Sequence, residues 1–139
     1  MEQQTDQFAA ARAFIEGDAY AKSLGIKFGD IAPGRARATM TVRPDMINAL
    51  GNCHGGAIFS LADTVFAVIS KSRGQVAVAQ FCSVGFLRPA AVGDELDAEG
   101  IESVACGQRG IYDVTVSCRG EVIAAFRGHA RIVASNNTT

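Results

Sequence analysis

The segment that most constrains this chain is Ala57–Ile69, AIFSLADTVFAVI, entered through Cys53-His54-Gly55-Gly56. Ten of its thirteen residues are apolar, and Asp63 is its only charge. A run that is apolar on all sides reads as a helix inside a protein core. Such a helix must be covered by something, and a curved antiparallel sheet wrapped around it does so, which predicts an α+β fold. A flat two-layer arrangement would leave one side bare, for a second copy of the chain to cover. A carboxylate in such a place is costly unless it is hydrogen-bonded, paired or used. Asp63 is therefore either a structural carboxylate, held by Ser60 or a neighbouring strand, or a functional one.

The rest of the chain narrows the classes. With 139 residues it is long enough for one domain with its own core, expected over residues 1–134. The net charge is −1, and no Lys/Arg block exists to suggest nucleic-acid or anionic-membrane binding. The N-terminus is polar without an apolar h-region, and no apolar stretch is long enough to span a bilayer. The expectation is a cytoplasmic protein. Cys53, Cys82, Cys106 and Cys118 lack paired spacing and read as reduced thiols. Cys53-His54 makes a poor metal pair, since adjacent side chains in an extended loop diverge and the only other histidine is His129. No metal is expected.

Along the chain, 6–16 favours a helix, and Asp18 caps a short helical turn ending before Gly25. A strand follows over 26–31, closed by Pro33-Gly34. Segment 35–43 alternates, with Ala36, Ala38, Met40 and Val42 on one face, as a half-buried strand does. Segment 44–53 reads as a loop. The central helix is expected from Gly55 to Lys71 or Arg73, with Gly74 closing it. Strands are predicted over 76–87, 94–104, 111–118 and 122–133, with turns at 107–110 and 119–121. The tail 135–139 is polar and expected to be disordered.

Gly55-Gly56 sits where the central helix starts, where amides lack internal partners and the macrodipole adds positive charge. Glycine there admits a ligand close to the backbone. An amide so placed suits the oxygen of a reacting carbonyl, although a tight loop-to-helix turn needs the same residues. His54 alone reads as a packed or capping histidine as readily as a base, and Asn48 as a turn former.

Together these residues carry a resemblance. Asn48-Ala49-Leu50-Gly51-Asn52-Cys53-His54-Gly55-Gly56 followed by Ser60-Leu61-Ala62-Asp63 resembles the N-x-x-G-x-x-H-G-G … L-x-D signature of hotdog-fold acyl-CoA thioesterases, in particular their phenylacetate-degradation branch. Phe86-Leu87-Arg88-Pro89, Gly93-Asp94, Gly107 to Val114 and Phe126-Arg127-Gly128 fit the same pattern. The resemblance implies a sheet wrapped around one long helix, a homodimer joined edge to edge, and usually a dimer of dimers. It implies an acyl-CoA substrate, with coenzyme A as part of that substrate and no separate cofactor. By position, Asp63 corresponds to the catalytic carboxylate, as general base or nucleophile. Gly56 N–H would bind the thioester oxygen, with His54 and Asn48 polarising that end. Gly55, Arg88, Arg127 and Gly128 fall in substrate- and CoA-binding segments. Some relatives carry a hydroxyl opposite the carboxylate to orient water, for which Thr64, Gln80 and Ser83 are candidates here.

Geometry adds a further expectation. Seven residues separate Gly56 from Asp63, or about 10 Å along a helix axis, so each site should be built from two chains. A hotdog hydratase or dehydratase is the alternative enzyme, but it would want a more Pro-rich loop at His54. A non-catalytic acyl-CoA sensor is the other alternative, and it has no use for Asp63.

Overall fold

The computed structural model describes residues 6–135. The N-terminal segment folds as α1 (Ala9–Gly17) and α2 (Ala19–Ser23). The first helix starts later than expected because Asp6 is spent outside it, accepting from the Phe8 amide at 2.9 Å. Asp18 caps α2 by accepting from Ala21 N–H at 3.0 Å. Strands β1 (Lys27–Ala32) and β2 (Arg35–Thr41) then form a hairpin. Ala36, Ala38, Met40 and Val42 are all buried, as their alternation requires.

The segment expected as plain loop holds a 3-10 turn, Pro44–Met46, and an isolated bridge between Ile47 and Cys53. It delivers the chain into α3 (Gly55–Ile69). That helix stops short of Lys71, and residues 70–73 continue as turns before Gly74, whose φ of +79° ends the rotation. Strands β3 (Gln75–Phe86), β4 (Glu95–Cys106), β5 (Arg109–Cys118) and β6 (Glu121–Ser135) complete one antiparallel sheet in the order β1-β2-β4-β5-β6-β3. The connecting turns are tighter than the sequence suggests. Arg119-Gly120 both take positive φ, 51° and 78°, as a two-residue type I′ hairpin demands. Ser135 belongs to β6, paired with Gln75, and the remaining predicted tail, 136–139, lies outside the described residues.

The sheet curls over α3, giving the expected α+β arrangement. Phe66 sits between Tyr112 and Phe126, with ring centroids 5.6 and 5.7 Å away. The cover is incomplete, however. Gly56 is exposed, and Phe59, Ser60, Asp63 and Ala67 are only half-buried. At spacings of three, four, seven and eleven from Gly56, these residues form one stripe along the helix. The sheet edges are unequal too. β1 is short and irregular, whereas β3 is a twelve-residue edge carrying exposed Val76, Val78, Phe81 and Phe86. No helix among the described residues is long and apolar enough to cross a membrane.

Candidate active site

The start of α3 is shaped by its own loop. Asn48 closes that loop, its side-chain oxygen accepting from Leu50 N–H at 3.0 Å and Asn52 N–H at 3.1 Å. Cys53 N–H donates to Ala90 O and His54 N–H to Met46 O, which fixes the residue before the helix. His54 is the N-cap, and its Nδ1 accepts from Gly56 N–H at 2.8 Å. This satisfies one of the first orphan amides, the work an N-cap does. Nδ1 as acceptor leaves the ring hydrogen on Nε2, a donor facing outward from the cap. The Gly56 amide is therefore taken in this conformation, and Gly55 N–H is the one with no acceptor among the described residues.

Neither glycine is required by its backbone, since neither has positive φ. Both are closely approached by neighbouring rings. A Cβ on Gly55 would lie 3.0 Å from the Phe86 ring, and one on Gly56 would lie 3.0 Å from His54 Nδ1. Beside them opens a cleft of about 350 Å³ lined by Asn48, Asn52, Cys53, Gly55, Ile58, Phe86, Leu87, Arg88 and Pro89. Its walls are apolar apart from the two asparagines and Arg88. Arg88 is ion-paired with Glu121 at 3.4 Å, both side chains being well exposed, so the pair holds the guanidinium only weakly.

Asp63 lies two turns further along the open stripe. Its expected partner Ser60 is committed elsewhere, donating to Gly56 O at 2.7 Å and sharing a hydrogen bond with Tyr20 Oη at 3.1 Å. Among the described residues the carboxylate's hydrogen-bonding partner is the Cys82 thiol, with Sγ 4.0 Å from Oδ1. Burial pushes the Asp63 carboxyl above the usual range, Asp18 adds to this, and Lys71 opposes it. The group is thus half-buried, without a backbone or ionic partner among the described residues, and biased toward its neutral form. A carboxylate kept for structure normally has donors; one kept for chemistry is often left in this state.

The other sequence candidates disperse. Thr64 is buried and donates to Ser60 O at 2.7 Å. Gln80 accepts from Arg109 at 3.2 Å, and Ser83 lies on the face of β3 opposite Cys82. Arg127 is on the outer sheet face, held by Asp113 through two bonds of 2.7 and 2.9 Å. Gly128 faces inward, where a Cβ would stand 2.7 Å from the Phe66 ring, so it makes room for the core. Asn48, Gly55 and Arg88 line one cleft, His54 and Gly56 adjoin it at the start of α3 without lining it, and Asp63 lies outside it.

A model of the thioesterase superfamily matches residues 50–125. The chain is also 42% identical over 129 residues to acyl-coenzyme A thioesterase PaaI of Escherichia coli (strain K12), covering 92% of each. The chain belongs to the thioesterase superfamily. The superfamily's hotdog fold is seen in the solved structure of the E. coli PaaI protein from the phenylacetic acid degradation operon, with a TM-score of 0.89, 40% identity, and 94% and 95% of the two chains covered. The structure of smu.793 from Streptococcus mutans UA159 bound to acetyl CoA is similar at a TM-score of 0.78 and 25% identity, covering 81% and 91%.

Within this thioesterase-superfamily chain, Phe86 entered the sequence motifs and Cys82 the reduced thiols, but neither was expected at the site. The signal for Phe86 was available, since an aromatic just before Leu87-Arg88-Pro89 ends a strand that must pass α3. The signal for Cys82 was hidden by an irregularity in β3 between Ala79 and Phe81.

Proposed function

We propose that this enzyme hydrolyses acyl-CoA thioesters to the free acid and coenzyme A, acting on phenylacetyl-CoA, hydroxyphenylacetyl-CoA or a related small aromatic or medium-chain acyl-CoA. The observation that carries this reading is Asp63, half-buried on the open stripe of α3 with a thiol as its one hydrogen-bonding partner among the described residues. The name of the E. coli relative and the acetyl CoA bound to the S. mutans protein support the substrate class. The apolar cleft walls of Ile58, Phe86 and Leu87 suit an aromatic acyl group.

In this reading Asp63 acts by one of two routes. As base, it takes a proton from water while that water's oxygen bonds to the thioester carbon and the C–S bond breaks. As nucleophile, it forms a mixed anhydride with release of the CoA thiolate, and water then opens the anhydride. Charge developing on the carbonyl oxygen is met at the N-terminus of α3. Gly55 N–H is available there, and Gly56 N–H becomes so when the His54 ring turns from its cap. Thiolate is a good leaving group, so no strong general acid is needed.

The site needs a second chain. The α3 N-terminus and Asp63 are about 10 Å apart along one axis, whereas reacting atoms must approach to about 3–3.5 Å. Two copies related by a two-fold axis, with their open stripes facing antiparallel, bring Asp63 of one to Gly56 of the other. The long apolar edge of β3 is the edge suited to continue the sheet between copies, since such an edge left bare invites pairing. A homodimer, further paired as a dimer of dimers, follows. The four free cysteines suit a reducing cytoplasm.

Thiol release from a panel of acyl-CoAs, followed with a colorimetric thiol reagent, tests the activity. Aryl-acetyl esters are expected to be turned over fastest, and no release from any ester would overturn the reading. Arg88→Ala is expected to raise KM by roughly tenfold with little change in kcat, because a guanidinium pairs with the CoA phosphates equally in ground and transition states. An unchanged KM would remove Arg88 from the binding surface.

A further inference from the structure

We propose that Cys82 is a positioning residue for hydrolysis, its thiol donating to the Asp63 carboxylate and holding it in the orientation and ionised form that the reaction uses. This rests on the catalytic reading of Asp63. Cys82 Sγ is the side-chain atom that reaches Asp63, at 4.0 Å, and no other donor to that carboxylate occurs among the described residues.

The contact is built by the strand. Ala79 pairs with Ala130, Phe81 with His129 and Cys82 with Gly128, so Gln80 is an extra residue in β3. A bulge of this kind reverses the alternation that follows it. Without it Ser83 would face the helix; with it Cys82 does, followed by Val84 and Phe86.

The surroundings leave the task to the thiol. The charged groups that bear on Asp63 are Asp18 and Lys71. Asp18 is a like charge occupied in capping α2. Lys71 is directed to Ala67 O at 3.2 Å, Ala77 O at 3.4 Å and the Phe14 ring at 4.4 Å. Burial and the nearby Asp63 both push the Cys82 thiol up, which keeps it an S–H donor rather than a thiolate nucleophile. An S–H donated to a carboxylate favours the charged form and so works against the burial of Asp63.

The test is the pH dependence of kcat/KM for Cys82→Ala and Cys82→Ser with an acyl-CoA that the wild type hydrolyses. Loss of the donor should move the acid limb up by on the order of half a pH unit, a roughly threefold loss below the limb, with KM unchanged. Cys82→Ser keeps a donor and should restore the wild-type limb. A side chain that merely fills space would give a different sign. Its removal admits water, solvates the carboxylate, and moves the limb down or nowhere. That result, or a serine variant that shifts as the alanine does, overturns the proposal. If Cys82→Ala does not fold, Cys82→Val keeps the volume without the donor and carries the same expectation. Failure of the underlying reading would look different: Asp63→Asn would retain wild-type turnover, which overturns both.

Discussion

Asp63→Asn is expected to lower kcat by about 10²–10⁴-fold, the usual contribution of a positioned base, and by more if the carboxylate is the nucleophile. Binding of coenzyme A should hardly change, because the cleft at the α3 N-terminus lies two helical turns away and keeps all its walls. Folding should not suffer either. The Asp63 carboxyl is raised from its ordinary value of 3.8, first by burial and then by Asp18. The folded chain therefore favours neutral Asp63. That preference contributes stability below the unfolded value and is lost as pH rises through the folded one. At neutral pH the ionised group costs stability, and asparagine removes the cost. Denaturant midpoints should hold or rise at pH 7 and converge with wild type in acid. Near wild-type turnover would remove Asp63 from the chemistry. A variant that unfolds would make it a structural carboxylate after all.

Much of this was legible because a single residue type stands out against its background. One carboxylate in a thirteen-residue apolar run marks both the central helix and the candidate reactive position. The stripe that carries it was also written in the chain, since Gly56, Ser60 and Asp63 recur at helical spacing. What could not be read was where short-range partners go. His54 was open between cap and polarising group, and the bond from Gly56 N–H to Nδ1 shows the cap. Arg127 and Gly128 are neighbours in sequence, but strand alternation sends one to Asp113 on the outer face and the other under Phe66. Gln80 and Ser83 bracket the residue that meets Asp63. One extra residue in β3 decides which side chain turns inward, and no periodicity in the strand announces it.

A site shared between two chains can be checked by complementation. Asp63→Asn abolishes one half of the site. Gly56→Val is expected to disable the other, because its branched side chain would crowd the His54 ring, 3.0 Å from where the Cβ stands, and the amide that a carbonyl oxygen must approach. Each homodimer then has two damaged sites. In a mixed dimer, one site receives both lesions and the other receives Gly56 from the first chain and Asp63 from the second, both intact. Refolding the two variants together in equal amounts should give half mixed dimers with one working site each, so about a quarter of wild-type activity should return. Differently tagged chains verify that mixing has occurred. Recovery near that fraction is expected of a shared site. Mixed dimers that form and stay inactive would contradict it, and Asp63 would then have to act with a partner other than the α3 N-terminus of a second chain.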